Sequence, residues 1–210
     1  MKKTFVLVVL FIFPLVAYLF FASGVNNFGR LPILTKEIPE VTSLAANVQL
    51  QDKITILGFL GYNAVQRKGN AFNLNQKIYK RFHEFNDFQM VMLVPKGEEE
   101  SIEQIKEELG KLSPIEKWNF IFASDKEITN FFTELNTNLT LDKDLGSPEV
   151  FIIDKKRNLR GRSDDEDEGI KYGFNTTSVA ELNNKMEDDV KIILAEYRLA
   201  LKKNNADRSK

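Results

Sequence analysis

Apolar positions along this chain change period repeatedly, and the changes mark out elements. Ile54 to Leu60 is a continuous apolar run broken only by Thr55 and Gly58, the pattern of a strand buried on both faces. Gly61 and Gly69 bracket a polar loop after it. Between Asn70 and Phe85 the residues Leu74, Ile78, Phe82 and Phe85 recur at helical spacing with basic residues between them, which predicts an amphipathic helix. Phe88 to Val94 (FQMVMLV) reads as a second buried strand closed by Pro95. Ile102, Ile105, Leu109 and Leu112 mark a second helix starting at Ser101.

The third strand is Trp118 to Ala123, followed by Ser124-Asp-Lys-Glu127, a capping box that starts a helix at Asp125. Ile128, Phe131, Phe132 and Leu135 give that helix its apolar side. Asn136 to Gly146 is a loop, Pro148 precedes the strand Glu149 to Ile153, and Asp154 to Asn158 turns into Leu159-Arg-Gly-Arg as a short hairpin partner. Ser178-Val-Ala-Glu181 repeats the capping-box pattern and opens a long helix striped by Val179, Leu182, Met186, Val190, Ile193, Tyr197 and Leu201. The order is β-α-β-α-β-α-β-β-α. Strands joined by helices imply parallel pairing in an α/β sandwich, to which the hairpin adds an antiparallel edge.

The N-terminus has a different pattern. Phe5 to Ala22 is eighteen apolar residues without interruption, preceded by Lys2 and Lys3. At about 1.5 Å per residue such a helix nearly spans a hydrocarbon core of about 30 Å. A cleaved signal peptide has a shorter apolar region, although Ala22-Ser23-Gly24 offers small residues for cleavage, and the length favours an uncleaved signal-anchor. Pro14 kinks such a helix without forbidding it. With Lys2 and Lys3 held on the cytoplasmic side, the rest of the chain faces the opposite compartment, the periplasm in a bacterium. The expected organisation is a membrane anchor or signal segment at 1–25, a linker at 26–45 with Pro32 and Pro39, a domain at 46–203 whose first edge is a short strand at Val48-Gln-Leu-Gln51, and a polar tail at 204–210.

Composition then narrows the chemistry. The 210 residues carry 29 basic and 30 acidic side chains, so nothing electrostatic points to nucleic acid. The absence of cysteine excludes disulfides, zinc–thiolate sites and thiol nucleophiles. One histidine, His83, on an amphipathic helix between Phe82 and Phe85, is read as structural, since no second ligand is spaced to join it. Asp164 to Glu168 lacks the alternating ligands and closing glutamate of a calcium loop, and Asp142-Lys-Asp144 fails in the same way. Glu98 to Glu100 are ordinary acids at a helix start. Gly58, Gly61 and Gly69 match neither a dinucleotide fingerprint nor a phosphate loop. The seventeen phenylalanines fall at core spacing. No catalytic residue, metal ligand or cofactor site is expected.

Three stretches carry a family resemblance: ITILGFLGYNAVQRKGN at the first strand, GSPEVFIIDKKRNLRGR at the hairpin, and the last helix ending ILAEY. Over Val41 to Lys203 the chain resembles the thioredoxin-like superfamily, specifically its membrane-anchored Sco/SenC branch. The resemblance implies that the domain at 46–203 is a thioredoxin-like three-layer α/β sandwich with a mixed sheet, preceded by an N-terminal transmembrane helix. Active members carry a cysteine pair in the loop after the first strand, where a thioredoxin-type register puts Ala64 and Arg67 here, so mixed-disulfide exchange is unavailable. Sco-type copper binding also requires a histidine before the fourth strand, where Gly146-Ser147-Pro148 stands, and no methionine is near to supply soft sulfur. Pro148 resembles the fold's cis-proline and is expected to be cis. Such a fold exposes its working surface at this loop, which makes Tyr62, Asn63, Ala64, Gln66, Arg67 and Pro148 a candidate partner-binding loop, against the plainer reading of a polar surface loop. Two functions follow. One is a redox-inactive, membrane-anchored binding or scaffold module for another envelope protein, linked by the resemblance to cytochrome oxidase assembly; the other is an enzyme whose non-thiol site uses the loop's polar residues and carboxylates.

Overall fold

The computed structural model describes residues 10–16, 18 and 29–208, without the side chains of 201–208. One sheet contains β1 (Ile33–Thr35), β2 (Ile54–Phe59), β3 (Phe88–Pro95), β4 (Trp118–Ala123), β5 (Glu149–Ile153), β6 (Leu159–Arg160) and β9 (Phe174–Asn175). Its spatial order is β1-β6-β5-β2-β3-β4, with β9 beside β5. β2 and β3 are parallel, as are β3 and β4, whereas β5 runs antiparallel to β2, and β6 antiparallel to β5. β7 (Arg162–Asp165) and β8 (Gly169–Lys171) form a separate hairpin. The helices are α1 (Lys68–Leu74), which passes through a π turn at Asn75–Tyr79 into α2 (Lys80–Phe82), then α3 (Glu99–Gly110) and α4 (Asp125–Glu134). α5 (Val179–Glu181) passes through a second π turn at Leu182–Met186 into α6 (Glu187–Arg208).

Period-two alternation along the central strands divides their side chains between two apolar layers. Ile54, Ile56, Met90, Met92 and Ile152 face Leu74, Ile78, Ile105, Leu182 and Ile193 from α1, α3 and the C-terminal helices. Leu57, Phe59, Val91, Leu93 and Phe151 face Ile128, Phe131 and Phe132 of α4. Every residue of β2 is buried, as its unbroken apolar run requires. The result is helix, sheet, helix, with parallel strands joined by helices and an antiparallel closing pair.

Residues 29–45, expected to belong to a linker, are part of the domain, as is the 46–51 stretch that follows them. β1 pairs antiparallel with β6, and Ile38, Val41, Val48 and Leu50 are buried in the α4 layer. α4 has only ten residues and leaves part of that sheet face open. Burying each of these aliphatic side chains there contributes about 1.5–3 kcal/mol, which outweighs the weak strand propensity of 48–51. Those residues form no strand. The β7–β8 hairpin and β9 are also additional to the expected elements.

The capping box at Ser124 is complete: Ser124 Oγ accepts from Glu127 N–H, and the Glu127 carboxylate accepts from Ser124 N–H at 2.8 Å. At Ser178 only half is formed. Ser178 Oγ accepts from Glu181 N–H at 3.2 Å, but the Glu181 carboxylate turns to Asn175 N–H at 2.8 Å and to Lys171. Among the described residues there is no cis peptide bond, so Pro148 is trans, contrary to the expectation from the resemblance.

Most of the apolar run Phe5 to Ala22 lies outside the described residues; 10–16 and 18 within it are helical. Among the described residues no helix is long and apolar enough to cross a membrane.

Candidate functional site

At the end of β2 the chain has to leave a sheet whose neighbours are already paired. Leu60 makes a last antiparallel bridge to Gly146, and Ser147 N–H donates to Phe59 O at 3.0 Å. The next residue turns with φ +67°, and a Cβ there would lie 2.4 Å from Asp144 O and 2.5 Å from Gly146 N. Only Gly61 fits. Tyr62 N–H then donates to Asp144 O at 2.6 Å, so backbone bonds tie the loop to the 142–147 segment on both sides of the glycine.

Two side-chain clasps complete the attachment. Tyr62 Oη donates to Asp125 Oδ1 at 2.8 Å, reaching the first turn of α4. Arg67 Nη2 donates to Asp142 Oδ2, with the guanidinium lying over Gly146, where a Cβ would approach Nε and Cζ to 2.7 Å. Asp142 Oδ1 accepts from Asp144 N–H at 2.9 Å and Gly146 N–H at 3.0 Å. Between the clasps Asn63 sits at φ 57° and opens a 3-10 turn over Ala64–Arg67. Ala64 is buried, and its N–H donates to Glu98 Oε2 at 3.3 Å.

The clasps set the electrostatics. The hydrogen bond to Asp125, then desolvation, push the Tyr62 phenol above its ordinary value, so it is a poorer acid than free tyrosine. Partial burial works against ionisation of Asp142, but the N–H groups of Gly146 and Asp144 and the Arg67 guanidinium outweigh it and hold the carboxyl below its ordinary value. Neither group is poised for proton transfer near neutrality.

The structure therefore brings Tyr62, Asn63, Ala64, Gln66 and Arg67 together on one pinned turn. Asn63 and Gln66 are exposed, and among the described residues their side chains make no hydrogen bond. Pro148 is half-buried, and its carbonyl accepts from Thr176 N–H at 2.9 Å and Oγ1 at 2.6 Å, which commits it to the residue after β9 rather than to the turn. Asp125, Asp142 and Glu98 hold the turn and were not among the residues expected there. Beneath Arg67 and Ser147 lies a cavity of about 20 Å³, room for one water and far below the ~300 Å³ of a small-molecule pocket. Trp118 also lines it, and among the described residues its Nε1–H has no acceptor.

The remaining candidates are structural. His83 Nδ1 stands 3.2 Å from Tyr79 O, and its ring stacks on Tyr79 at 5.2 Å. Asp154 is buried and accepts four hydrogen bonds, from the N–H groups of Lys156 and Asn158, from Asn158 Nδ2 at 3.1 Å and from Arg160 Nη1 at 3.0 Å, so no lone pair is left for substrate. Asp165 is buried against Lys185 while the rest of the acidic run is exposed. Among the described residues no three His, Asp or Glu side chains converge as metal ligands. A carboxylate-based active site has no geometric support there.

No family model matches the chain, and no curated protein matches it either. Several solved structures are similar. A structure reporting a disulfide switch in BsSco, of the Sco family of cytochrome c oxidase assembly proteins, aligns at 14% identity, covering 77% of this chain and 95% of that one with a TM-score of 0.49. Copper-bound ScoI from Arabidopsis thaliana aligns at 15% identity over 69% and 89%, with a TM-score of 0.42. The thioredoxin domain of a thiol-disulfide oxidoreductase from Bacteroides vulgatus aligns at 14% over 77% and 95%, with a TM-score of 0.40. Likenesses this distant say nothing of chemistry. The strand order and directions are those of a thioredoxin-like α/β fold, here free of cysteine.

Proposed function

We propose that this chain is a thiol-free thioredoxin-like domain that binds or scaffolds another protein of the cell envelope. An N-terminal signal-anchor holds it in the inner membrane with the domain facing the periplasm, and its place is within cytochrome oxidase assembly. The observation that carries the reading is the pinned turn. A thioredoxin-type register puts Ala64 and Arg67 in the cysteine places, and the two reactive-looking groups, Tyr62 and Arg67, are held by Asp125 and Asp142. What the turn offers outward is Asn63 and Gln66, amides suited to hydrogen bonding and not to group transfer. The oxidase connection comes from the sequence resemblance to the Sco/SenC branch.

The test is crosslinking of the full-length protein in its native envelope, followed by extraction and mass spectrometry, with Asn63→Ala/Gln66→Ala in parallel. Recovery of oxidase subunits or copper chaperones, reduced at least tenfold by the double substitution, is the expected result. Partners retained equally by both proteins would remove the turn from the interface. Copper(I) bound at micromolar affinity and defined stoichiometry would overturn the thiol-free scaffold reading itself.

A further inference from the structure

The two edges of the sheet are built differently. β1 is three residues long and follows Pro32, both devices that keep a sheet edge from pairing with another chain. β4 is six residues long, Trp118-Asn-Phe-Ile-Phe-Ala123, without charge, proline, glycine or bulge. Its hydrogen-bonding direction follows from the ladder. Met90 N–H donates to Lys117 O at 2.8 Å and Lys96 N–H to Ala123 O at 3.0 Å, so odd-numbered residues turn inward to β3. The N–H and C=O groups of Phe120 and Phe122, and the C=O of Trp118, therefore point away from the sheet; none meets a partner among the described residues.

The side chains point to what covers this edge. Phe120 and Phe122 are only half-buried, on the same face as Trp118, and Trp118 stacks on Phe120 at 5.8 Å. An antiparallel copy of the same strand, centred on Phe120, satisfies both chemistries at once. Phe120 N–H donates to Phe120 O of the second copy and the reverse, and Phe122 N–H donates to Trp118 O in both directions, which makes four bonds. Phe120 then lies beside its own symmetry mate and Trp118 beside Phe122, the aromatic cross-strand pairs that stabilise antiparallel sheets. The flanks agree: in that register Glu116 falls opposite Ser124 and Lys117 opposite Ala123, so neither end sets like charges face to face. We propose that β4 is a two-fold interface through which two copies of this chain join their sheets into one continuous sheet.

The absence of cysteine makes the test direct. In full-length protein in detergent, Phe120→Cys places two thiols across an antiparallel hydrogen-bonded pair, about 5.5 Å between Cα atoms and within disulfide reach. Mild oxidation is expected to yield a disulfide dimer, while Lys111→Cys on the exposed end of α3 stays monomeric. Sedimentation of the unsubstituted chain is expected to show a dimer, and Phe120→Lys, which sets like charges face to face, to weaken it at least tenfold with its circular dichroism unchanged. A Phe120→Cys chain that crosslinks no more than Lys111→Cys would overturn the proposal, as would a monomer at tens of micromolar or a dimer that folded Phe120→Lys leaves intact. If Phe120→Lys fails to fold, the crosslinking pair decides alone.

Discussion

The same substitution at two glycines separates the geometry of the site from its composition. At Gly61 an alanine has to adopt φ +67° and place its Cβ 2.4 Å from a backbone oxygen and 2.5 Å from a backbone nitrogen. The left-handed conformation costs about 1–2 kcal/mol. The overlap cannot be relieved by a side chain, because both atoms belong to the segment bridged through Gly146, so at least one of the bonds holding that segment opens at about 1 kcal/mol each. The expected loss is about 3 kcal/mol, a fall in Tm of about 6–12 °C for a chain of this size. At Gly69, within α1, a Cβ meets nothing within 4 Å. There Gly→Ala is expected to stabilise by about 0.5–1 kcal/mol. Thermal unfolding followed by the fluorescence of Trp118, the only tryptophan, reads both. A Gly61→Ala protein that melts within 2 °C of the parent would refute the described path of the turn, and so would two substitutions that shift Tm in the same direction.

Two further outcomes rest on charges. Arg160 is buried between Asp154 at 3.0 Å and Glu196 at 2.9 Å, so Arg160→Met leaves two carboxylates without their guanidinium and is expected to cost about 3–5 kcal/mol; adding Asp154→Asn, which keeps the acceptor for the turn but removes its charge, should recover the Asp154 part of that loss, and strictly additive denaturation midpoints would refute the pairing. Asp142, whose folded pKa lies below its ordinary value, contributes stability that is present above that value, about 3.9, and lost as the pH falls through the folded one. Asp142→Asn should therefore flatten the acid limb of a stability–pH curve below the ordinary carboxylate range and leave its slope near neutrality alone; an unchanged acid limb would show that the clasp is not formed.

Where the sequence was legible, one residue type at one spacing had one structural use. The buried runs at 54–60, 88–94 and 149–153 became strands because only a fully covered sheet accommodates continuous apolar residues. Ser124 with Glu127 marked a helix start to the residue, since both halves of the box are local. The stretch 29–50 was illegible for the opposite reason. Ile38, Val41 and Leu50 have no period of their own; their burial is decided by the sheet face that α4 leaves uncovered. Glu181 illustrates the same competition on a smaller scale, since a buried lysine and the backbone of Asn175 claim the carboxylate that the local pattern assigned to Ser178.

The site divides along the same line. That the loop after β2 would be the working surface could be read from its position at the carboxyl end of a buried strand. That its tyrosine and arginine would be unavailable could not, because their partners Asp125 and Asp142 lie 63 and 75 residues away. The physical consequence reverses the usual inference from polar loop residues. A free tyrosine and arginine beside a strand end suggest chemistry, whereas the same two groups held by carboxylates stiffen the turn and leave the neighbouring amides as its exposed side chains without a hydrogen-bond partner among the described residues. A rigid turn loses little conformational entropy when a partner binds to it, so an element unable to do thiol chemistry is still well formed for recognition.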